Sequence, residues 1–239
     1  EEGKRNEAAG VHRYSIVTAG RGLHGRELDH ALEAYRQLRA ETGLGLCASH
    51  GLQTVEEFRA MREAGVTRYH ANLETSRRNF PNICTTHTYE DKLANIRRAQ
   101  AAGLEVCSGG ILGMGETWED RIDMALDLSE LGAVSIPLNL LTPIPGTPLA
   151  DMPPMTEEEV LRSVAIFRLL NPAAWVRMAA GRGQFPDGGG ALFRSGANAA
   201  ITGDMLTTTG TGTARDRALF AQLGYRLERP SERKGGELL

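Results

Sequence analysis

Residues 89–140 read YEDKLANIRRAQAAGLEVCSGGILGMGETWEDRIDMALDLSELGAVSIPLNL, and this stretch decides the fold. It holds two helix-like segments, 89–102 and 118–131, each followed within a few residues by a strand-like one, 105–110 and 134–140. Gly103 stands where the first helix should stop, as a residue that tolerates left-handed backbone. The run 134–140 is apolar almost throughout, the pattern of a strand covered on both faces. Helix and strand in alternation, joined by short loops, imply right-handed β-α units and a parallel sheet.

The same unit recurs on either side. Strand-like segments are expected at 13–17, 45–48, 68–72, 175–179 and 199–202, and helix-like ones at 27–42, 55–64 and 157–170. Gly43 and Gly65 mark further helix ends. Thr156 with Glu159 three residues on has the form of a capping box. About seven strand candidates with no linker between them favour an α/β chain with a (β/α)8 TIM-type barrel over a doubly wound open sheet. One unit is missing for the eightfold count, and the first ten residues resemble the tail of a helix whose strand lies upstream. Residues 1–227 are expected to form the partial barrel and 228–239 a polar tail.

Composition narrows the function. The 239 residues are 41% hydrophobic and 24% charged, with a formal net charge of −3, which argues against a nucleic-acid binder. No apolar run approaches the ~20 residues of a membrane helix. The start lacks the basic and apolar regions of a signal peptide, so a cytoplasmic protein with reduced thiols is expected. Cys47, Cys84 and Cys107 are too few and too widely spaced for a disulfide framework. Buried structural thiols compete with cluster or metal ligation. In a barrel, chemistry belongs at the C-terminal strand ends. Cys47, Asn72 with Glu74, Cys107 with Ser108, Asn139, Arg177 and Thr207 are expected there. Two thiols and an arginine on different strands strengthen the cluster reading.

Several of these runs resemble the biotin synthase family of the radical S-adenosylmethionine superfamily. They are Tyr69-His70-Ala71-Asn72-Leu73-Glu74-Thr75-Ser76, Asn82-Ile83-Cys84-Thr85-Thr86-His87-Thr88-Tyr89 and the stretch from Val106 to Thr117. Ile136-Pro137-Leu138-Asn139, Gly146-Thr147-Pro148-Leu149, Val176 to Arg182, Gly196-Ala197-Asn198 and Leu206-Thr207-Thr208 follow in the family's order. The resemblance runs from near Val11 to near Tyr225.

The resemblance implies a (β/α)8 enzyme that converts dethiobiotin to biotin by inserting sulfur at two unactivated C–H positions. Cofactors must carry that step: a 4Fe–4S cluster that cleaves S-adenosyl-L-methionine, and an auxiliary iron–sulfur cluster that donates sulfur. The family's C-x3-C-x2-C loop occurs nowhere in this chain, which points to truncation and to a polypeptide unable to start the reaction by itself. Cys47, Cys107 and Arg177 match three ligand positions of the auxiliary cluster. Ser15 stands where another cysteine is expected, and its hydroxyl is a harder, weaker iron ligand than a thiolate. Cys84 is then expected to close over the mouth and complete a three-thiolate site that holds a 2Fe–2S or larger cluster.

Asn72, Glu74 and Lys92 match positions that bind the ribose and methionyl parts of S-adenosylmethionine. Gly109, Ile111, Gly113 and Glu116 match the G-x-I-x-G-x-x-E stretch beside that cofactor. His70, Asn139 and Thr207 match contacts to the ureido ring of dethiobiotin, and Ala71 departs from the histidine often seen there. His12, His24, His30, His50 and His87 show no metal spacing and read as surface or structural. A homodimer served by a flavodoxin- or ferredoxin-type electron donor is also implied. Competing readings are a radical enzyme of the hydrogenase-maturation or methylornithine branch and a non-catalytic barrel that keeps a dethiobiotin or adenosyl pocket. A generic barrel lyase is disfavoured, since no lysine or carboxylate pair stands out at the strand ends.

Overall fold

A computed structural model describes residues 1–203 and 212–227. The elements run α1 Glu2–Ala8, β1 Arg13–Val17, α2 Gly25–Glu41, β2 Gly45–Ser49, α3 Val55–Glu63, β3 Val66–His70, α4 Phe80–Ile83, α5 Tyr89–Ala101, β4 Glu105–Cys107 and β5 Gly110–Leu112. They continue with α6 Trp118–Glu130, β6 Ser135–Leu140, α7 Glu157–Leu170, β7 Trp175–Met178, a 3-10 turn at Arg182–Gln184, α8 Gly190–Arg194, β8 Ala199–Ala200 and α9 Thr213–Gln222. The chain divides into two compact units: residues 1–73 with 84–108, and residues 74–83 with 109 onward.

In the first unit β1, β2, β3 and β4 pair in that order, all parallel. Helices α2, α3 and α5 bury one face of this sheet. Tyr35, Phe58 and Met61 from the helices pack with Leu46, Ala48, Val66, Tyr69 and Leu104 from the sheet layer. In the second unit β5, β6, β7 and β8 pair in parallel. Ile136, Leu138, Val176 and Met178 are fully buried, as are Val164 and Phe167 of α7. Both units are therefore built as the alternation in the sequence requires.

Helix starts follow local chemistry. Helices α3, α5, α6 and α7 each begin with a complete capping box, on Thr54/Glu57, Thr88/Asp91, Thr117/Asp120 and Thr156/Glu159.

Three strand expectations are corrected. The third strand lies at Val66–His70 rather than 68–72, because buried Val66 pairs with Leu46 and the chain leaves the ladder after His70. The expected strand 105–110 splits into β4 and β5 around Ser108–Gly109. A Cβ on Gly109 would stand 2.0 Å from the carbonyl oxygen of Pro137, so backbone crosses backbone there at a distance only glycine permits. The expected last strand, 199–202, is reduced to Ala199–Ala200.

Candidate functional site

Strand register decides which side chains share a face, because residues paired across a ladder point the same way and alternate along each strand. In the first unit Ser15 is opposite Cys47, Cys47 opposite Arg68, and His70 opposite Cys107. Arg68 and His70 are two apart on β3. Ser15, Cys47, Arg68, His70 and Cys107 therefore line one face, while Leu46, Ala48 and Tyr69 line the helix-covered face. Cys47 and Cys107 are buried at 5% and 4% exposure, and neither is disulfide-bonded. Cys107 ends β4, whereas Cys47 sits at the middle of β2 instead of its C-terminal end. Ser15 is exposed. Toward the N-terminal side of the same face, Arg68 binds Glu105 at 2.8 Å and Arg13 approaches it at 3.8 Å.

Cys84 lies half-buried just after α4, with its Sγ 3.3 Å from Nδ1 of His87 and 3.5 Å from Oγ1 of Thr86. Burial pushes this thiol up, but hydrogen bonds from Thr86 and His87 and the charge of Lys92 outweigh it. The net shift is downward, toward the thiolate. His87 is thus a neighbour of a candidate ligand and not a bystander; the Cys84-x2-His87 spacing was the available signal. Among the described residues no three His, Cys, Asp or Glu side chains stand close enough together to hold a metal ion, so Cys84 is not gathered with Cys47 and Cys107. Lys92 lies in the first turns of α5, and Asn72 falls beyond the end of β3.

In the second unit Ile111 is opposite Asn139, and Pro137 is opposite Arg177. Pro137 and Asn139 are two apart on β6, so Ile111, Asn139 and Arg177 share the face away from Ile136, Leu138, Val176 and Met178. The Nε–H of Arg177 is shut away from solvent with no hydrogen-bond partner among the described residues. A buried, uncompensated guanidinium donor is costly, and an anionic or sulfide acceptor would satisfy it. This donor fits the auxiliary cluster that the resemblance implies. Asn139 is already engaged at both ends of its amide: Nδ2 donates to the Gly110 carbonyl at 3.2 Å, and Oδ1 accepts from Ala180 N–H at 3.2 Å. One N–H and one lone pair remain for a ligand.

The glycine stretch is locked by its own glutamate. Glu116, 7% exposed, accepts from the N–H groups of Gly113 and Met114 at 2.8 and 2.7 Å and pairs with Arg121 at 2.9 Å. Its carboxylate closes the turn after β5. Glu74 bridges Gly110 through its backbone, next to a network of buried Ser76 and Asp120 with exposed Arg78 that reading the sequence misses. Thr207 lies outside the described residues. None of the described helices is long and apolar enough to cross a membrane.

Comparison with known proteins gives a consistent picture. Residues 1–128 match the Radical SAM superfamily, and residues 137–226 match the Biotin and Thiamin Synthesis associated domain. The chain is 60% identical over 222 residues to a biotin synthase of Clostridium beijerinckii, covering 93% of this chain and 70% of that protein. It is 57% identical over 220 residues to a biotin synthase of Akkermansia muciniphila, covering 92% and 68%. Among solved structures, a maturase of the FeFe-hydrogenase superposes with a TM-score of 0.76 at 18% identity, over 94% of this chain and 54% of that one. Methylornithine synthase superposes at 0.68 with 19% identity, over 82% and 61%. At such identities these two likenesses speak for the fold alone.

Proposed function

We propose residue roles for this chain from the premise that it belongs to the biotin synthase family of radical S-adenosylmethionine enzymes. It is a sulfurtransferase-type enzyme acting on dethiobiotin, with S-adenosyl-L-methionine and iron–sulfur clusters as its cofactors. Those cofactors, when bound, supply the hydrogen abstraction and the sulfur that no side chain can provide.

The protein's own part is to bind, orient and exclude water. In our reading Cys47 and Cys107 would hold the auxiliary cluster as thiolates, and the Nε–H of Arg177 would be available to a sulfide of it. Cys84 stands apart from both and would be the third thiolate by closing over the mouth, as the resemblance implies. Asn72, Glu74 and Lys92 bind S-adenosylmethionine, with Gly109, Ile111 and Gly113 letting the backbone approach it closely. His70 and Asn139 meet the ureido ring of dethiobiotin, with Thr207 as a further contact. Residues 1–227 act as one catalytic domain, working as a cytoplasmic homodimer with a flavodoxin- or ferredoxin-type electron donor.

One observation carries the site: register places Cys47, His70 and Cys107 on the face of β2–β4 opposite the helix-packed core. Thiols there are buried yet turned away from the apolar layer. The test is iron and acid-labile sulfide per chain after anaerobic reconstitution. Iron bound by the wild type should be lost in both Cys47→Ala and Cys107→Ala; iron retained in either would remove that residue from the site. The Cys84→Ala variant decides the third thiolate in the same assay. Cross-linking and sedimentation decide the dimer.

A further inference from the structure

Glu74 is the one non-glycine residue among those described with a positive φ, at 74°. A Cβ in the left-handed region meets a steric cost, so something beyond the residue must impose the conformation. On one side the glycine stretch does so. The Glu74 N–H donates to the Gly109 carbonyl at 3.1 Å, and its own carbonyl accepts from Ile111 N–H at 2.9 Å. The fit is close: a Cβ on Gly110 would stand 2.4 Å from the Glu74 carbonyl oxygen.

On the other side stands the turn that follows. Ser76 is 1% exposed; its hydroxyl accepts from Asn79 N–H at 3.0 Å and donates to Oδ1 of Asp120 at 2.6 Å. Asn79 in turn donates to Thr75 Oγ1 at 3.1 Å. Arg78 reaches the same Oδ1 with Nε at 3.0 Å and Nη2 at 2.9 Å, and also Asp123 at 3.1 Å. Asp120 divides its work by oxygen. Its Oδ2 caps α6 by accepting from the N–H and Oγ1–H of Thr117 at 2.8 and 2.9 Å, whereas Oδ1 serves the turn alone. Of the four capping-box carboxylates it is the buried one. A helix cap needs neither that burial nor the second oxygen's bonds to a distant segment.

We propose that Asp120 is a positioning residue for S-adenosylmethionine: by anchoring Ser76 and Arg78 it keeps the turn after Glu74 closed, and so holds Glu74 in the conformation that binds the cofactor. The proposal rests on the reading of Glu74 as a cofactor-binding residue. When the anchor is cut, the turn loosens and Glu74 relaxes from the left-handed region. Cofactor affinity then falls with the competent fraction, whereas dethiobiotin, which uses other residues, keeps its own.

The experiment is calorimetric titration of the full chain with S-adenosylhomocysteine, and separately with dethiobiotin, alongside thermal melts. Ser76→Ala and Asp120→Ala should each weaken S-adenosylhomocysteine about tenfold and leave dethiobiotin unchanged. The double variant should be no weaker than Asp120→Ala, since both changes cut one contact. Thr117→Ala, which removes the cap and spares the partners of Oδ1, should lower the melting temperature without changing either affinity. Glu74→Ala separates the two levels of the argument. If it weakens S-adenosylhomocysteine while Ser76→Ala and Asp120→Ala bind like wild type, the positioning role is wrong and the Glu74 assignment stands. If Glu74→Ala binds like wild type, the Glu74 assignment fails and takes the proposal with it. Should Asp120→Ala fail to fold, Ser76→Ala decides alone.

Discussion

Arg177 carries a stability cost that can be located on one atom. Its buried Nε–H has no acceptor among the described residues, a defect of about 1–3 kcal/mol by the usual penalty for a lost buried hydrogen bond. Arg177→Met keeps much of the apolar stem and removes the donor. Without iron it should melt no lower than the wild type, and after reconstitution it should retain less iron. Lower iron-free stability would mean the guanidinium is satisfied within the protein. Asp120 makes the opposite case. Burial alone would raise its carboxyl, but hydrogen bonds from Ser76, Thr117 and Arg78 prevail and hold it at about 2. Its contribution is complete above the ordinary value of 3.8 and fades only as pH falls toward 2. Cys47, Cys107 and Arg177 could be picked out in the sequence because motif and strand order mark them. Ser76, Arg78 and Asp120 could not, since their contact joins segments more than 40 positions apart.

At the scale of elements, short-range signals govern where helices begin and glycines govern where strands may cross. The Thr-x-x-Glu/Asp pattern is local, and the box at Thr156/Glu159 is read from the sequence alone, while the structure adds three more of the same form. Thr156→Ala, at an exposed cap, should cost about 1 kcal/mol in chemical denaturation, the usual loss for a removed N-cap. Strand ends are less legible. The segment around Ser108–Gly109 looks continuous in hydrophobicity, yet the ladder breaks there because β5 must meet β6 in its own register. Gly109→Ala forces a methyl into the Pro137 carbonyl, and rigid backbone on both sides leaves little to yield. Overpacking of this kind costs about 1–3 kcal/mol or more, so this variant should destabilise further than Thr156→Ala. Equal midpoints for the two would show that the crossing opens easily.

For the whole molecule the clearest consequence is the response to acid. His50 is buried, with Nδ1 3.0 Å from Thr18 Oγ1 and Nε2 2.8 Å from Tyr35 Oη, and burial lowers its pKa from 6.5 to about 4. The unfolded chain therefore takes up this proton first. Stability from neutral His50 is intact above about 6.5 and is lost as pH falls from there toward 4. The melting temperature should drop across that interval, and His50→Gln, which cannot titrate, should flatten the slope. An unchanged slope would mean that His50 remains accessible to protons in the folded state. The hydrogen-bonded chain of Thr18, His50 and Tyr35 ties the residues just past β1 and β2 to α2 in the first unit, so the response reports on that unit's core.

The sequence by itself determined the class of fold, the order of β-α units, the cap at Thr156 and the family. All of these rest on local propensity, on the period of apolar residues, or on motifs contiguous along the chain. Tertiary structure decided the rest. Only register shows that Cys47, His70 and Cys107 share a face, because a slip of one residue would turn each to the other side. Only packing shows that the buried Nε–H of Arg177 has no acceptor among the described residues, and that one oxygen of Asp120 reaches the loop after Glu74. Such facts depend on distances between residues remote in sequence, and no local pattern encodes them.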